Sequence, residues 1–321
     1  MIDRRISVAP MMDWTDRHCR YFHRLIAPDI LLYTEMVTTP AIIHGERERL
    51  LGFSEKEKPL ALQLGGSYPD ALARCAEVGE QWGYDEINLN CGCPSDRVQE
   101  GSFGACLMAE PQLVADCVAA MQRAVSIPVT VKSRIGIDDF DHYDFLKNFV
   151  ETVAAAGCGI FIIHARKAIL KGLSPKENRT VPPLVYDYAY RIKQEFPPLR
   201  IIINGGIKTT AEVREHLQHV DGVMIGREAY QNPWWLHELQ NEILQKPTPF
   251  SPKDIVHAML PYVHEQLAQG VRLNAITKHM LGLFQGIPGA RAWRRIMAEE
   301  AVKPDANADI ILQALQAVAQ D

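Results

Sequence analysis

Short apolar runs rich in β-branched residues recur eight times before residue 228, and each is followed by a segment with a helical pattern. Most of these runs are continuously apolar rather than alternating, which is typical of strands buried on both faces of a parallel sheet. They cover residues 6–11, 31–36, 60–66, 86–92, 129–136, 160–166, 201–206 and 222–227. Eight strand–helix units predict an α/β fold, a (β/α)8 TIM barrel.

Two of the intervening segments have clear helix boundaries. The segment 111–125 opens with Pro111, and the segment 144–157 ends on Gly157, as the preferences for proline at helix starts and glycine at helix ends predict. A doubly wound open sheet is the competing arrangement of alternating strands and helices. It usually has a glycine-rich turn after its first strand, whereas APMMDWTD (9–16) has no glycine, so the barrel is preferred.

The chain changes character after the eighth unit. Residues 241–254 contain three prolines among mixed charges, which we interpret as a linker. From residue 252 onward the pattern is helical throughout. We therefore predict two domains, a barrel over 1–245 and a small helical domain over 246–321.

Composition limits the compartment and the class of partner. The N-terminal segment has charges but no apolar h-region, and no uncharged apolar run approaches the ~20 residues of a membrane span. Seven scattered cysteines fit reduced thiols better than a disulfide scaffold. These features predict a cytoplasmic globular protein with no membrane association, and no obligatory protein partner is evident.

The net charge of −5 argues against an indiscriminate polyanion binder, but the charge is uneven. Residues 270–298 contain five basic residues and no acid, and residues 164–180 contain five basic residues and one acid. The first group is Arg272, Lys278, Arg291, Arg294 and Arg295, and the second is Arg166, Lys167, Lys171, Lys176 and Arg179, beside Glu177.

Polar or otherwise special residues lie at the predicted strand ends, where barrels of this kind carry their active sites. They are Pro10, Met11 and Met12, Gln63, Asn90, Cys91 and Cys93, Lys132 and Arg134, His164 and Arg166, Asn204, Gly205 and Gly206, and Gly226 and Arg227. Lys132 would point into the barrel mouth, where an unpaired ammonium is costly, so it either has an anionic partner or extends outward to solvent. His164 fits a cofactor contact and a buried structural histidine equally well.

The segment NGGIKTTAEV (204–213) predicts a phosphate site. Glycines allow close approach of a ligand to the backbone, and the loops after strands 7 and 8 are the usual phosphate site of this fold. The helix that follows offers N–H groups, and Arg227 adds a forked cation. The alternative is that the glycines serve only as turns between strand and helix.

The segment NLNCGCPS (88–95) carries two cysteines one residue apart. A structural zinc site needs four ligands, and the other cysteines show no paired spacing, so we expect no metal. A disulfide between neighbours so close is sterically awkward. Cys91 fits a buried inert thiol, whereas Cys93, between Gly92 and Pro94 past the strand end, could act as a general acid. The glycine-rich segment 101–107 could close over it as a mobile loop.

Taken together, these motifs resemble the tRNA-dihydrouridine synthases, and in particular their A subfamily. The matching segments are APMMDWTDRHCR, LALQLGG, NLNCGCPSDRVQEGSFGACLM, VKSRIG, HAR, NGGI and IGR, in that order, and the resemblance covers the whole chain. APMMDWTD differs from the APMAGVTD that is more usual elsewhere in the superfamily, which favours the A subfamily.

The resemblance implies an FMN-bearing TIM barrel with a C-terminal helical domain. Such an enzyme uses NADPH to reduce the C5=C6 bond of uridines in the tRNA D-loop, at positions 20 and 20a in this subfamily. It implies that Cys93 donates the proton to C5 and that Asn90 contacts the target uracil. The implied FMN contacts are Pro10, Met11, Met12, Gln63, Lys132, His164, Asn204, Gly205, Gly206, Gly226 and Arg227.

The target base would have to be flipped out of its stack to reach the flavin. The two basic segments then become candidate contacts to the tRNA backbone. The candidates are Arg134, Arg166, Lys167, Lys171, Glu177 and Arg179 in the barrel, and Arg291, Trp293, Arg294 and Arg295 in the helical domain. Two alternatives stay open: an FMN barrel that reduces a free pyrimidine, as dihydroorotate dehydrogenases do, and a non-catalytic RNA-binding protein.

Overall fold

A computed structural model describes residues 2–95, 101 and 103–318. Its central feature is one sheet of eight parallel strands in the order β1-β8-β7-β6-β5-β4-β3-β2. The strands are β1 (Ile6–Val8), β2 (Leu32–Thr38), β3 (Leu60–Gly65), β4 (Glu86–Cys91), β5 (Val129–Arg134), β6 (Ile160–His164), β7 (Arg200–Asn204) and β8 (Gly222–Ile225). All eight predicted strands are present, and the predicted TIM barrel is confirmed.

The barrel closes between β1 and the residue that precedes β2. The Val8 N–H donates to the Leu31 carbonyl at 3.0 Å, and the Leu31 N–H donates to the Ile6 carbonyl at 3.2 Å. Every residue of β3 and β4 is buried, because each of these strands has helices on one face and the barrel interior on the other. The sequence of β3 accordingly shows no clear alternation of apolar and polar residues, whereas β4 alternates Glu86, Asn88 and Asn90 with Ile87, Leu89 and Cys91.

Fourteen α-helices occur among the residues described. They are α1 (Arg17–Ile26), α2 (Thr39–His44), α3 (Arg47–Leu51), α4 (Pro69–Gln81), α5 (Pro111–Ala124), α6 (Tyr143–Ala155), α7 (Tyr186–Glu195), α8 (Thr210–His216), α9 (Arg227–Gln231), α10 (Trp235–Glu242), α11 (Pro252–Ala268), α12 (Leu273–Thr277), α13 (Ala290–Glu300) and α14 (Asp309–Gln316). Short 3₁₀ helices form at Glu55–Glu57, Gly104–Ala109 and Glu177–Arg179. The helices α5 and α6 confirm the boundaries expected from Pro111 and Gly157.

The contacts divide the chain into two compact units. The first comprises the residues up to Met12 together with Leu31–Gly226, and the second comprises Asp13–Ile30 together with the chain from Arg227 onward. The predicted division at residue 245 therefore differs from the one in the structure. The reason is non-local: α1, which follows β1 in sequence, packs in the second unit against α10, α11 and α12.

Aromatic side chains fix α1 in the second unit. Tyr21 stacks on Tyr262 of α11 with ring centroids 4.0 Å apart, and His18 Nδ1 lies 2.7 Å from the Tyr262 hydroxyl. The proline-rich segment expected to link two domains instead connects α10 to α11 within this unit, where Gln240 Nε2 donates to the Lys246 carbonyl at 3.0 Å. The stretch from 278 to 289, expected to be helical, consists of turns.

A buried ion pair lies inside the barrel, near the amino ends of the strands. Arg4 pairs with Glu86, and neither side chain exposes more than 6% of its surface. The Glu86 carboxylate also accepts from the Tyr33 hydroxyl at 2.9 Å and from the Thr130 hydroxyl at 2.6 Å. Since a buried charge is tolerated only when it is paired and hydrogen-bonded, this cluster depends on all of its members.

Arg4→Met is expected to destabilise the fold by about 3–5 kcal/mol, because it leaves the Glu86 carboxylate buried and uncompensated. Its neighbour provides a matched control: Arg5 pairs with Asp3 at the surface, where such pairs contribute about 0–1 kcal/mol. Urea unfolding of the two variants measures the difference. Equal free energies of unfolding for Arg4→Met and Arg5→Met would show that burial of the Arg4–Glu86 pair has no special cost.

Candidate functional site

A chain of side-chain hydrogen bonds runs through the barrel interior. Thr130 links Glu86 to Asn88, whose Nδ2 donates to the Thr130 hydroxyl at 2.9 Å. Gln63 Nε2 donates to Asn88 Oδ1 at 2.8 Å, and Asn90 Nδ2 donates to Gln63 Oε1 at 2.8 Å. The sequence motifs did not single out Asn88, although its position two residues before Asn90 on a strand places both side chains on one face.

The same alternation separates the two cysteines of NLNCGCPS. Cys91 is adjacent to Asn90 on β4, so its side chain points to the opposite face of the strand. It is fully buried, and this burial raises the pKa of its thiol well above the usual value. Cys93 lies beyond the strand end and is half-buried, with its Sγ 3.5 Å from the Ser95 hydroxyl. Of this pair, Cys93 alone is exposed to solvent at the carboxyl end of β4.

Asn90 anchors the backbone that carries Cys93. Its Oδ1 accepts from the N–H groups of Gly92 and Cys93, each at 3.0 Å. The Cys93 carbonyl accepts from the Ala105 N–H at 2.9 Å. Ala105 belongs to a 3₁₀ helix in the segment expected to be a mobile loop, whereas Ser102 of that segment lies outside the described residues. The position of the thiol is therefore set by hydrogen bonds from two sides.

Arg134 braces this region from inside the protein. It is 3% exposed, and its guanidinium donates to three backbone carbonyls: to Gly92 at 2.9 Å, to Lys167 at 3.1 Å and to Asn178 at 2.8 Å. Burial lowers the pKa of Arg134 to about 10. The expectation that Arg134 contacts tRNA directly does not fit this geometry, because the side chain is buried and three of its N–H groups join the Cys93 segment to the loop after β6.

Lys132 projects from the end of β5 and is partly buried. Its Nζ donates to Asn204 Oδ1 at 3.2 Å, and Asn204 Nδ2 in turn donates to the Met224 carbonyl at 2.8 Å. The ion pairs formed by the described residues include none to Lys132. Desolvation by burial, with a further contribution from the Arg134 charge, lowers the pKa of Lys132 to about 7. An anionic group bound beside it would restore the charge.

The Gly205–Gly206 turn follows β7 with positive φ values of 119° and 77°. A Cβ at Gly205 would lie 2.6 Å from His164 Cδ2, so His164 packs directly against this turn. Gly226, after β8, has open space where a Cβ would be. Glycine is therefore required at Gly205 by conformation and by contact, and the backbone at Gly226 is accessible to a ligand.

The segment between this turn and the next helix is held by a capping box. Helix α8 begins with a capping box in which Glu212 Oε2 accepts from the N–H groups of Lys208 at 2.8 Å and Thr209 at 2.9 Å. The carboxylate of Glu212 thus uses two N–H donors just before α8, and those two are not open to a phosphate. The sequence Thr209-Thr210-Ala211-Glu212 is the signature of such a box and could have shown this.

The residues before α1 and α9 complete the set of predicted site positions. Met11 is 8% exposed and Met12 is 55% exposed, so the two methionines after Pro10 differ sharply in their surroundings. Arg227 is the first residue of α9 and of the second compact unit.

The basic segment after β6 is partly engaged in holding its own loop. Arg166 donates to the Pro182 carbonyl, Arg179 Nε donates to the Pro175 carbonyl at 3.0 Å, and Lys167 pairs with Asp141 at 2.7 Å. The Glu177 carboxylate accepts from both the N–H and the hydroxyl of Ser174, within the same loop. Lys171 is exposed. Several of these side chains therefore have structural contacts besides any role at the surface.

Helix α13 presents its arginines to solvent and its tryptophan to the core. Arg291, Arg294 and Arg295 are exposed. Trp293 is fully buried, its Nε1 donates to the Met280 carbonyl at 3.1 Å, and its ring meets Phe284 edge-on. Trp293 therefore cannot contact tRNA directly, and that expectation is wrong. The apolar residues Ala290, Trp293 and Met297 form a stripe with the spacing of one helix face.

The described part of the chain has no helix long and apolar enough to cross a bilayer, and it shows no group of three His, Cys, Asp or Glu side chains placed to hold a metal.

Comparison with known proteins gives a consistent result. Residues 7–320 match the family model described as dihydrouridine synthase. The tRNA-dihydrouridine(20/20a) synthase of Vibrio cholerae is 61% identical over 313 residues, covering 97% of this chain and 95% of that protein. The protein of the same description from Escherichia coli K12 is 62% identical over 317 residues, covering 98% and 92%.

More distant structures share the barrel. Morphinone reductase superposes with a TM-score of 0.53 at 12% identity, covering 77% of this chain and 87% of its own. A 2-naphthoyl-CoA reductase complex gives 0.56 at 10% identity, covering 76% and 50%. At these identities the likeness concerns the fold alone.

Asn90→Ala is expected to loosen the Cys93 segment, because two backbone N–H groups lose their acceptor, at a cost of about 1–3 kcal/mol in stability. Alkylation of Cys93 by iodoacetamide, followed by peptide mass spectrometry, should then be several-fold faster. Cys106, also partly exposed but not bonded to Asn90, is the internal control. An unchanged Cys93 rate in a folded variant would contradict the anchoring role of Asn90.

Proposed function

This chain belongs to the dihydrouridine synthase family, and we propose that it reduces the C5=C6 bond of uridines at positions 20 and 20a of tRNA to 5,6-dihydrouridine. The observation that carries the proposal is identity above 60%, over nearly the whole of both chains, with proteins described as tRNA-dihydrouridine(20/20a) synthases. The reaction needs a hydride for C6 and a proton for C5. A tRNA substrate also implies a cytoplasmic location.

FMN is the cofactor that we propose, and the residues at the barrel mouth fit it. Lys132 is a partly buried cation that donates to an amide oxygen, and an anionic ring would compensate it. Gln63, Asn90 and Asn204 supply amide groups at the ends of three further strands. Gly226 leaves its backbone open to close approach. This set of donors suits a planar polar ring that carries a phosphate tail.

When bound, FMN reduced by NADPH would supply the hydride that adds to C6. Lys132 would hold positive charge beside the ring, and the backbone at Pro10, Met11 and Met12 would pass next to it, with His164 nearby. Asn204, Gly205, Gly206, Gly226 and Arg227 are the residues proposed for the phosphate. Gln63 and Asn90 are hydrogen-bonded to each other, so each has its amide orientation set before any ligand binds.

Cys93 is proposed as the acid that protonates C5. Its proton would pass from Sγ to C5 as hydride reaches C6, and the thiolate would then take a proton from solvent. Lys132 and Arg134 lie close enough to Cys93 to interact with it electrostatically. Asn90, which anchors the Cys93 backbone, is also proposed to hydrogen-bond the uracil.

Recognition of tRNA is proposed to use exposed cations. Arg291, Arg294 and Arg295 on α13 are exposed, as is Lys171 in the loop after β6. Such residues contact phosphates and release counterions, so they contribute affinity without reading sequence. A base that enters the barrel mouth must leave its stack, as in other enzymes that modify nucleobases.

Cys93→Ala is expected to keep its FMN and its reduction by NADPH, because the thiol acts only after the flavin has been reduced. Dihydrouridine formation should fall by about 10²–10⁴-fold, the usual contribution of a positioned acid. Stopped-flow bleaching of the flavin measures the first half-reaction, and mass spectrometry of digested tRNA measures the second. Cys91→Ala, on the opposite face of β4, should change product formation little.

Near-normal product formation by Cys93→Ala would end the assignment of Cys93 as the acid. A wild-type protein that binds flavin and oxidises NADPH but leaves tRNA unchanged would contradict the proposed substrate.

Replacing Arg291, Arg294 and Arg295 with glutamine should weaken tRNA binding and flatten its dependence on salt. Removing one arginine–phosphate interaction should reduce the log–log slope of affinity against salt concentration by up to about 0.9. Filter binding across a salt series measures this slope. Flavin content should stay the same, and an unchanged slope would remove the nucleic-acid role of these three residues.

A further inference from the structure

Tyr186 holds the turn that follows β7. It is the first residue of α7, and its hydroxyl donates to the Gly205 carbonyl at 2.7 Å. No role was assigned to Tyr186 by the sequence motifs. The turn it contacts contains two consecutive glycines with positive φ, which are the residues with the greatest backbone freedom.

The contact between Tyr186 and the Gly205 carbonyl also sets the direction of the Gly206 N–H. The carbonyl of Gly205 and the N–H of Gly206 lie in one plane and point in opposite directions. Because Tyr186 binds the carbonyl, the Gly206 N–H is turned away from α7. Within residues 2–95, 101 and 103–318, this N–H donates to no protein group. It is therefore available to an acceptor supplied by a ligand.

The hydroxyl is itself held in place. The Tyr186 ring meets the buried His216 ring edge-on at 4.5 Å, and the preceding Val185 N–H donates to the Ala165 carbonyl at 2.8 Å. Leu184 packs against both glycines, since added Cβ atoms would lie 3.2 Å or less from its methyl groups. The hydrogen bond to Gly205 thus comes from a side chain with little freedom to move.

The neighbouring helix makes this orientation more important. The Glu212 carboxylate already accepts from the N–H groups of Lys208 and Thr209, so those two do not serve an outside anion. The Gly206 N–H, in the turn itself, is not used in this way. A phosphate bound there depends on the direction of the Gly206 N–H, which the Tyr186 hydroxyl sets.

We propose that Tyr186 is a positioning residue for phosphate binding, which fixes the Gly205 carbonyl so that the Gly206 N–H faces the phosphate of the cofactor. The proposal rests on the proposed use of FMN. It predicts that Tyr186 affects the affinity for FMN, which carries the phosphate, and does not affect binding of the flavin ring.

The test uses full-length apoprotein and two flavins, titrated by fluorescence quenching. Tyr186→Phe keeps the ring packing but removes the hydroxyl, and it should weaken FMN binding by about three- to tenfold, the value of one neutral hydrogen bond. Riboflavin, which lacks the phosphate, should bind wild type and variant equally. Tyr190→Phe is the matched control, because the Tyr190 hydroxyl lies 2.7 Å from His216 Nδ1 and makes no contact with the turn.

An equal loss of FMN and riboflavin affinity in Tyr186→Phe, or an equal loss of FMN affinity in Tyr190→Phe, would overturn the proposal, as would unchanged FMN affinity in Tyr186→Phe. Those results would leave the proposed function intact, since the wild type would still bind FMN. Failure of the wild type to bind FMN would instead overturn the proposed cofactor, and this proposal with it.

Discussion

Closure of eight parallel strands into a barrel brings all their carboxyl ends to one rim, and the arrangement of the candidate site depends on this constraint. Gln63, Asn90, Lys132 and Asn204 come from four different strands, yet hydrogen bonds join them in pairs. Because side chains alternate along each strand, every second residue points away from the barrel interior and is excluded from the site. Cys91 faces away from the interior that contains Asn90, so Cys93 is the cysteine of this pair that lies at the barrel mouth.

The interior of the barrel is polar along one continuous path. It begins at the Arg4–Glu86 pair and continues through Thr130, Asn88 and Gln63 to Asn90. From there it reaches the backbone of Cys93. Buried polar groups of this kind hold one arrangement only when every member is satisfied. The path therefore connects the stability of the barrel with the position of the thiol proposed to act on the substrate.

Much of the fold was predictable from the sequence, because its signal is local. Short runs rich in β-branched and other apolar residues located all eight strands, and a terminal proline and a terminal glycine located the start of α5 and the end of α6. The strand-end rule also placed Lys132, Asn204 and the Gly205–Gly206 turn at the site end of the barrel, and in the structure Lys132 donates to Asn204.

The predictions that were wrong concern features that depend on contacts between residues far apart in the sequence. Helix α1 belongs to the second unit because Tyr21 stacks on Tyr262, and no local pattern reveals such a partner. Arg134 is buried among carbonyls that fold together only in the barrel, although its charge suggested a surface role. The burial of Trp293 could have been predicted, because its spacing from Ala290 and Met297 marks the apolar face of a helix. The neighbouring arginines suggested a surface role instead.

The proposed reaction is confined to uridine within tRNA, at two neighbouring positions. To test this, unmodified tRNA is incubated with the purified protein, FMN and NADPH, and dihydrouridine is then mapped along the strand, with free uridine assayed in parallel. We expect dihydrouridine at positions 20 and 20a and no comparable reduction of the free nucleoside. Reduction of free uridine at the same rate, or dihydrouridine at other positions only, would contradict the proposed activity.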